Sequence, residues 1–208
     1  MNKKLYIVGA GGHGKVISQA LVASKRTITA FLDEDNDKQG KTLMNIPILD
    51  LKATLLTRKP TNTELANGIG LGSKRKQQFN NLKRRRFKFI SLSHPSSIIA
   101  NDVMMEPGVQ IMAGAVLQPG TMIGPNVVLN TGCRVDHDCN IEAHSFIAPG
   151  VVICGNVKIG VSTHIGAGAT IIENIKIGNN VIVGAGSTVV NDIDDGMKVV
   201  GVPARPVE

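Results

Sequence analysis

The sequence predicts an α/β + β chain. A small N-terminal Rossmann-like parallel α/β domain spans residues 1–93, and a C-terminal parallel β-helix of hexapeptide repeats spans residues 94–208. Three observations predict it. LYIVGAGGHGKVISQALVAS reads as an apolar strand, a glycine turn and an amphipathic helix. From Ser97 onward the chain holds a six-residue period without a break. The composition also changes where the period begins: residues 1–96 carry 18 Lys+Arg against 6 Asp+Glu, residues 97–208 carry 5 against 10, and five of the six aromatic rings lie before residue 90.

Within the first part, ITAFLDED is a second strand ending in carboxylates, and ELANGIGLG is a third strand with its own glycine loop. SKRKQQFNNLKRRR has helical periodicity, and RFKFISLSHP is one more strand leading into the repeats. Alternating strand and helix argues for a parallel sheet, and the boundary falls near Ser93–Pro95. In the second part, every sixth residue from 97 to 193 is small or β-branched, and every sixth from 99 to 189 is aliphatic. A helix recurs near 3.6 residues and a simple strand at two, so neither produces this pattern. Each hexad is one short strand and one corner, and three hexads make one triangular coil, giving about five coils stacked on a shared aliphatic column.

At 208 residues, with 42% hydrophobic and 19% charged residues, a disordered or collagen-like chain is excluded. The net charge of +7 raises nucleic acid or an acidic membrane as partners. The stretch 74–88, however, holds eight basic residues on one expected helix, which reads as a solvated face, so no nucleic acid is expected. The apolar stretch after Lys3 and Lys4 is too short for a signal core or a membrane span. Cys133, Cys139 and Cys154 form no CxxC pair. A soluble, cytoplasmic protein is expected.

Gly9, Gly11 and Gly14 match G-x-G-x-x-G between a strand and a helix, with Asp33 downstream. Glycines let a phosphate approach the backbone, the helix N-terminus favours an anion, and Asp33 and Glu34 are placed to accept ribose hydroxyl hydrogen bonds. The same turn also serves merely to join strand to helix. About ninety residues supply one mononucleotide half, so a single nucleotide such as UDP fits better than a dinucleotide.

Of five histidines, His137 stands in VDHDC between two carboxylates, on the coil surface. Residues eighteen apart should stack on adjacent coils, placing His137 over Gly155 and under Pro119. A histidine whose second nitrogen meets a carboxylate is suited to general-base work, and a glycine beneath it leaves an N–H to bind an acyl oxygen. A solvated turn residue is the competing reading. His137, His144 and His164 lack the eighteen-residue spacing that would converge three imidazoles on zinc, so no metal is expected.

GAGGHGKV, FLDED, NGIG, SHPSSIIA, VDHDC, CGNVKIG and GVPAR, in that order, resemble the bacterial nucleotide-sugar acetyltransferases of the PglD/NeuD type. The resemblance implies a left-handed β-helix and a homotrimer with acetyl-CoA in the groove between neighbouring subunits. It implies His137 as general base with Asp138 as its carboxylate, and acetyl-CoA contacts at Phe146, Gly155, Ala167 and Ala185. Relatives often carry histidine where Phe146 stands. Sugar-nucleotide contacts fall on Gly11, Gly12, His13, Asp33, Glu34 and Gly70. The expected activity is acetyl-CoA-dependent N-acetylation of a nucleotide-linked amino-deoxy sugar for surface glycan synthesis. Sugar O-acetylation of the sialic-acid kind and a non-catalytic β-helical binding subunit are the alternatives.

Overall fold

The computed structural model describes residues 3–207; Met1, Asn2 and Glu208, the outermost residues of the two expected domains, lie outside the described residues. The chain divides into two compact units, Met1–Leu92 and Ser93–Glu208.

The first unit is a sheet flanked by helices. Its strands are β1 (Lys4–Val8), β2 (Ala30–Asp33), β3 (Thr42–Leu43), β4 (Ile46–Asp50), β5 (Thr63–Asn67) and β6 (Lys88–Phe89). Their spatial order is β3-β4-β2-β1-β5-β6, parallel except for the β3–β4 hairpin at one edge. Helix α1 (Gly12–Ala23) follows β1, α2 (Leu51–Leu56) follows β4, and α3 (Gly72–Arg84) follows β5. β1 pairs with β2 on one side and β5 on the other, so the order reverses beside β1, where parallel sheets open a crevice at their C-terminal ends. Tyr6, Leu65, Phe79 and Phe89 pack in the core beneath, the two phenyl rings 4.6 Å apart.

Two expectations for this unit change. The basic stretch 74–88 is not one solvated helix: α3 ends at Arg84, Phe87 and Phe89 are buried, and Arg75 is 0% exposed, with burial pushing its pKa down to about 10. RFKFISLSHP forms two short strands, Lys88–Phe89 and Leu92–Ser93, because the chain must leave one sheet before it starts another.

The second unit is a three-faced parallel β-helix. Short strands recur every six residues and stack in three ladders: a first face from Ile98–Ile99 to Thr188–Val189, a second from Met104–Met105 to Lys176–Ile177, and a third from Leu92–Ser93 to Lys198–Val200. The register runs from i to i+18, as in Arg134↔Val152, Ile141↔Ile159 and Phe146↔His164, until the last coil, where Ile182 pairs with Lys198. The aliphatic column is buried from Ile111 through Val189, and the small column beside it is buried from Val109 onward. At the N-terminal end, Met105 of the aliphatic column is 41% exposed. Among the described residues no helix is long and apolar enough to cross a membrane.

Candidate functional site

In the α/β unit, the C-terminal ends of β1, β2 and β5 open into a cleft of about 610 Å³. All six residues expected to hold a sugar nucleotide line it: Gly11, Gly12, His13, Asp33, Glu34 and Gly70. The glycines divide by cause. A Cβ on Gly14 would run into the Gly9 carbonyl oxygen, and one on Gly68 would meet that oxygen and Ile7 Cγ2 at 2.7 Å, so these glycines let the two loops pack together. Gly11 and Gly12 have open space where a Cβ would stand, and Gly11 is extended at φ −115°. Neither packing nor backbone strain asks for glycine there, and the open space leaves the loop backbone accessible from the cleft. The α1 N-terminus also carries no side-chain cap, which leaves its first N–H groups for an anion.

Asp33 has partners within the fold. Its carboxylate accepts hydrogen bonds from the Ala10 N–H (2.7 Å), the Asp35 N–H (3.0 Å) and Lys38 Nζ (3.3 Å), so it ties the glycine loop to the end of β2. Burial pushes its pKa up, but these three donors outweigh burial and hold it below the ordinary carboxylate value. The outer acceptor is Glu34, which takes a hydrogen bond from Gln78 Nε2 at 3.3 Å. Lys38, Lys74 and Gln78 also line the cleft and escaped the sequence reading. The four-residue spacing of Lys74 and Gln78 on α3 was a signal that they share one helix face.

The second site lies where the first and second faces of the β-helix meet. Asp138 is left-handed at φ 58°, a corner position filled on the adjacent coils by Gly120 and Asn156. Its Oδ2 lies 2.9 Å from His137 Nδ1. A carboxylate only accepts, so Nδ1 carries the proton and Nε2 keeps its lone pair. The hydrogen bond to Asp138 is the main reason the His137 pKa is raised; desolvation opposes it, and the charges of Asp136 and Asp138 add to it. The eighteen-residue stacking holds. The Asn156 N–H donates to the His137 carbonyl at 2.9 Å, the Asp138 N–H donates to the Pro119 carbonyl at 3.0 Å, and the imidazole lies against Gly155. Among the described residues the Gly155 N–H donates to no acceptor.

Not all the expected acetyl-CoA residues gather at this corner. Gly155 stands under His137, whereas Ala167 and Ala185 are exposed at the corner between the third and first faces. Phe146 lies on the third face, its ring stacked on His164 at 5.1 Å and 5°. The two corners are one side of the coil apart, roughly 20 Å for six residues of strand. His94 bonds Ser96 within its own turn, and His144 bonds Asn126 on the neighbouring coil, eighteen residues back. Among the described residues no group of three or more His, Cys, Asp or Glu side chains is arranged to hold a metal ion.

The PglD N-terminal domain family model matches residues 4–82. A curated relative, the UDP-N-acetylbacillosamine N-acetyltransferase of Bacillus subtilis (strain 168), is 36% identical over 114 residues, a match spanning 53% of this chain and 52%, about half, of that protein. The acetyltransferase domain of PglB from Neisseria gonorrhoeae FA1090, solved with acetyl coenzyme A, superposes with a TM-score of 0.93 at 34% identity over 100% of both chains. A histidine-to-asparagine mutant of perosamine N-acetyltransferase from Caulobacter crescentus, solved with CoA and GDP-perosamine, gives a TM-score of 0.93 at 30% identity over 99% of this chain and 97% of that one.

Proposed function

The chain belongs to the PglD-type nucleotide-sugar acetyltransferases, built on a left-handed β-helix, and from that premise we propose that it transfers acetyl from acetyl-CoA to the amine of a nucleoside-diphosphate-linked amino-deoxy sugar. The observation that carries the reading is the His137 corner: a base with its Nε2 lone pair free, set against a glycine whose N–H is unused.

The neutral sugar amine attacks the thioester carbonyl carbon and forms the new C–N bond, while the carbonyl π electrons move onto oxygen. The Gly155 N–H is the donor for that oxyanion. His137 Nε2 takes the proton the amine sheds, and Asp138 stabilises the imidazolium through Nδ1–H. When the carbonyl re-forms, the C–S bond breaks, and the proton held by His137 goes to the departing thiolate. The products are the N-acetyl sugar nucleotide and CoA-SH, with no change in redox state. The α/β cleft holds the nucleotide: the α1 N-terminus and Lys74 meet the diphosphate, and Glu34 meets a ribose hydroxyl.

The expected acetyl-CoA contacts are divided between two corners of the β-helix and its third face, which suits a homotrimer whose sites lie between subunits; a cytoplasmic location is part of the same proposal. The test is thiol release from acetyl-CoA against UDP- and GDP-linked amino sugars, with free sialic acid as the O-acetylation arm. Release with an amino-sugar nucleotide, abolished in His137→Ala at unchanged oligomeric state, is the expected result. Release with sialic acid alone, or none with any acceptor, overturns it.

A further inference from the structure

The buried small column of the β-helix hides a repeated hydrogen bond. Thr121 Oγ1 donates to the Asp136 carbonyl (3.1 Å), Cys139 Sγ to the Cys154 carbonyl (3.2 Å), Ser145 Oγ to the Gly160 carbonyl (2.7 Å) and Thr163 Oγ1 to the Gly178 carbonyl (2.7 Å). In each case a side chain no more than 1% exposed reaches the carbonyl fifteen residues ahead, at the entry to a corner on the next coil. These carbonyls point into the coil, where an unbonded acceptor would be costly.

At the His137 corner the same bond has a further consequence. The Cys154 carbonyl shares its peptide plane with the Gly155 N–H. That peptide is trans, since the one cis bond among the described residues is Val202–Pro203. In a trans peptide the C=O and N–H point in opposite directions. With the carbonyl turned inward onto Cys139, the Gly155 N–H faces outward, on the side where the imidazole lies. The same sulfur is 3.6 Å from the His137 carbonyl, so it stands between the residue bearing the base and the peptide below it. Burial pushes the Cys139 pKa up to about 11, which keeps the group a protonated donor and not a nucleophile.

We propose that Cys139 is a positioning residue for the acetyl transfer described above: its S–H···O=C bond to Cys154 sets the tilt of the Cys154–Gly155 peptide and so aims the Gly155 N–H at the developing oxyanion. The inference rests on the proposed function, and it predicts a rate effect that packing alone does not.

Valine, serine and alanine already occupy this column, at Val127, Ser145 and Ala169 for example, so replacements of Cys139 by them should fold. Cys139→Val removes the donor, Cys139→Ser keeps one, and Thr163→Val removes the equivalent bond at a corner away from His137. The readouts are kcat, KM for each substrate and the thermal midpoint. Cys139→Val is expected to lower kcat roughly 3- to 10-fold, the worth of one net hydrogen bond, with both KM values unchanged. Cys139→Ser is expected to restore most of the rate, and Thr163→Val to lower the thermal midpoint with kcat intact. Undiminished kcat in Cys139→Val, an equal loss in Cys139→Ser, or an equal loss in Thr163→Val overturns the positioning role alone. Wild-type protein without turnover overturns the proposed function together with it.

Discussion

The imidazole of His137 occupies the space a Cβ on Gly155 would need: that carbon would meet ring atoms Cε1 and Nε2 at 2.6 Å. The Gly155 backbone is outside the left-handed region, so the ring itself, and not the turn, demands glycine. Gly155→Ala should therefore fold normally but push the ring off its position. Displacement of a catalytic group by about 1 Å costs on the order of 100-fold in rate. Steady-state kinetics beside thermal denaturation separate the two effects, and normal turnover in a folded Gly155→Ala protein would remove the ring's placement from the mechanism.

In the proposed mechanism, the Asp138 contact sets the pH at which His137 works as base. A general base acts in its neutral form, so activity rises with pH through the His137 pKa. The hydrogen bond to Asp138 raises that pKa more than desolvation lowers it. Asp138→Asn removes that carboxylate bond and its charge, so the pKa falls and the acidic limb of kcat/KM against pH moves to lower pH. The plateau drops as well, because an amide no longer stabilises the imidazolium. A limb that stays in place while the plateau drops would assign the limb to a group other than His137.

What the sequence disclosed follows the length scale of each interaction. Columns such as Ile141–Ile159–Ile177 repeat a local rule, and the stacking of His137 on Gly155 follows from that rule by counting eighteen. The β3–β4 hairpin and the six-residue α2 went unread, because elements so short carry too little periodicity to register. The role of Asp33 as a lock on the Ala10 N–H was hidden for another reason: its partners are set by the packing of two loops. The small column was legible as size, but the donor role of Thr121, Cys139, Ser145 and Thr163 was not, since each acceptor lies on the next coil. Arg75 was masked by the charge run around it, although Phe79 one turn on marks the same buried face.

The glycines of the nucleotide loop should respond in opposite ways. Gly14→Ala drives a methyl into the Gly9 carbonyl oxygen, with backbone on both sides and no flexible side chain to give way. It should destabilise the α/β unit by about 1–3 kcal/mol, the usual cost of overpacking. Gly11→Ala meets nothing, so stability should hold while nucleotide affinity falls. Denaturant unfolding and calorimetric titration with UDP and GDP read both effects. Wild-type nucleotide affinity in Gly11→Ala would show that the loop only joins β1 to α1.

Tyr6 is fully buried in the core of the α/β unit, and its hydroxyl has no hydrogen-bond partner among the described residues. Leaving such a group unsatisfied costs about 1–3 kcal/mol. Tyr6→Phe removes the hydroxyl and keeps the ring, so it should stabilise the protein by about 1 kcal/mol and leave turnover unchanged. A lower midpoint in urea would mean that the hydroxyl is satisfied in solution.

The separation of the two corners predicts how sites are shared. His137 and Gly155 stand where the first and second faces meet, Ala167 and Ala185 where the third and first meet. If each site joins the His137 corner of one subunit to the Ala185 corner of its neighbour, His137→Ala and Ala185→Trp proteins should each be inactive alone. Mixed under conditions that exchange subunits, they should regain a fraction of wild-type activity, because some sites then draw His137 from the Ala185→Trp subunit and Ala185 from the His137→Ala subunit. If both corners serve acetyl-CoA within one subunit, every site in the mixture keeps one defect and no activity returns. Thiol release from the mixture, set against each variant alone, decides between the two arrangements.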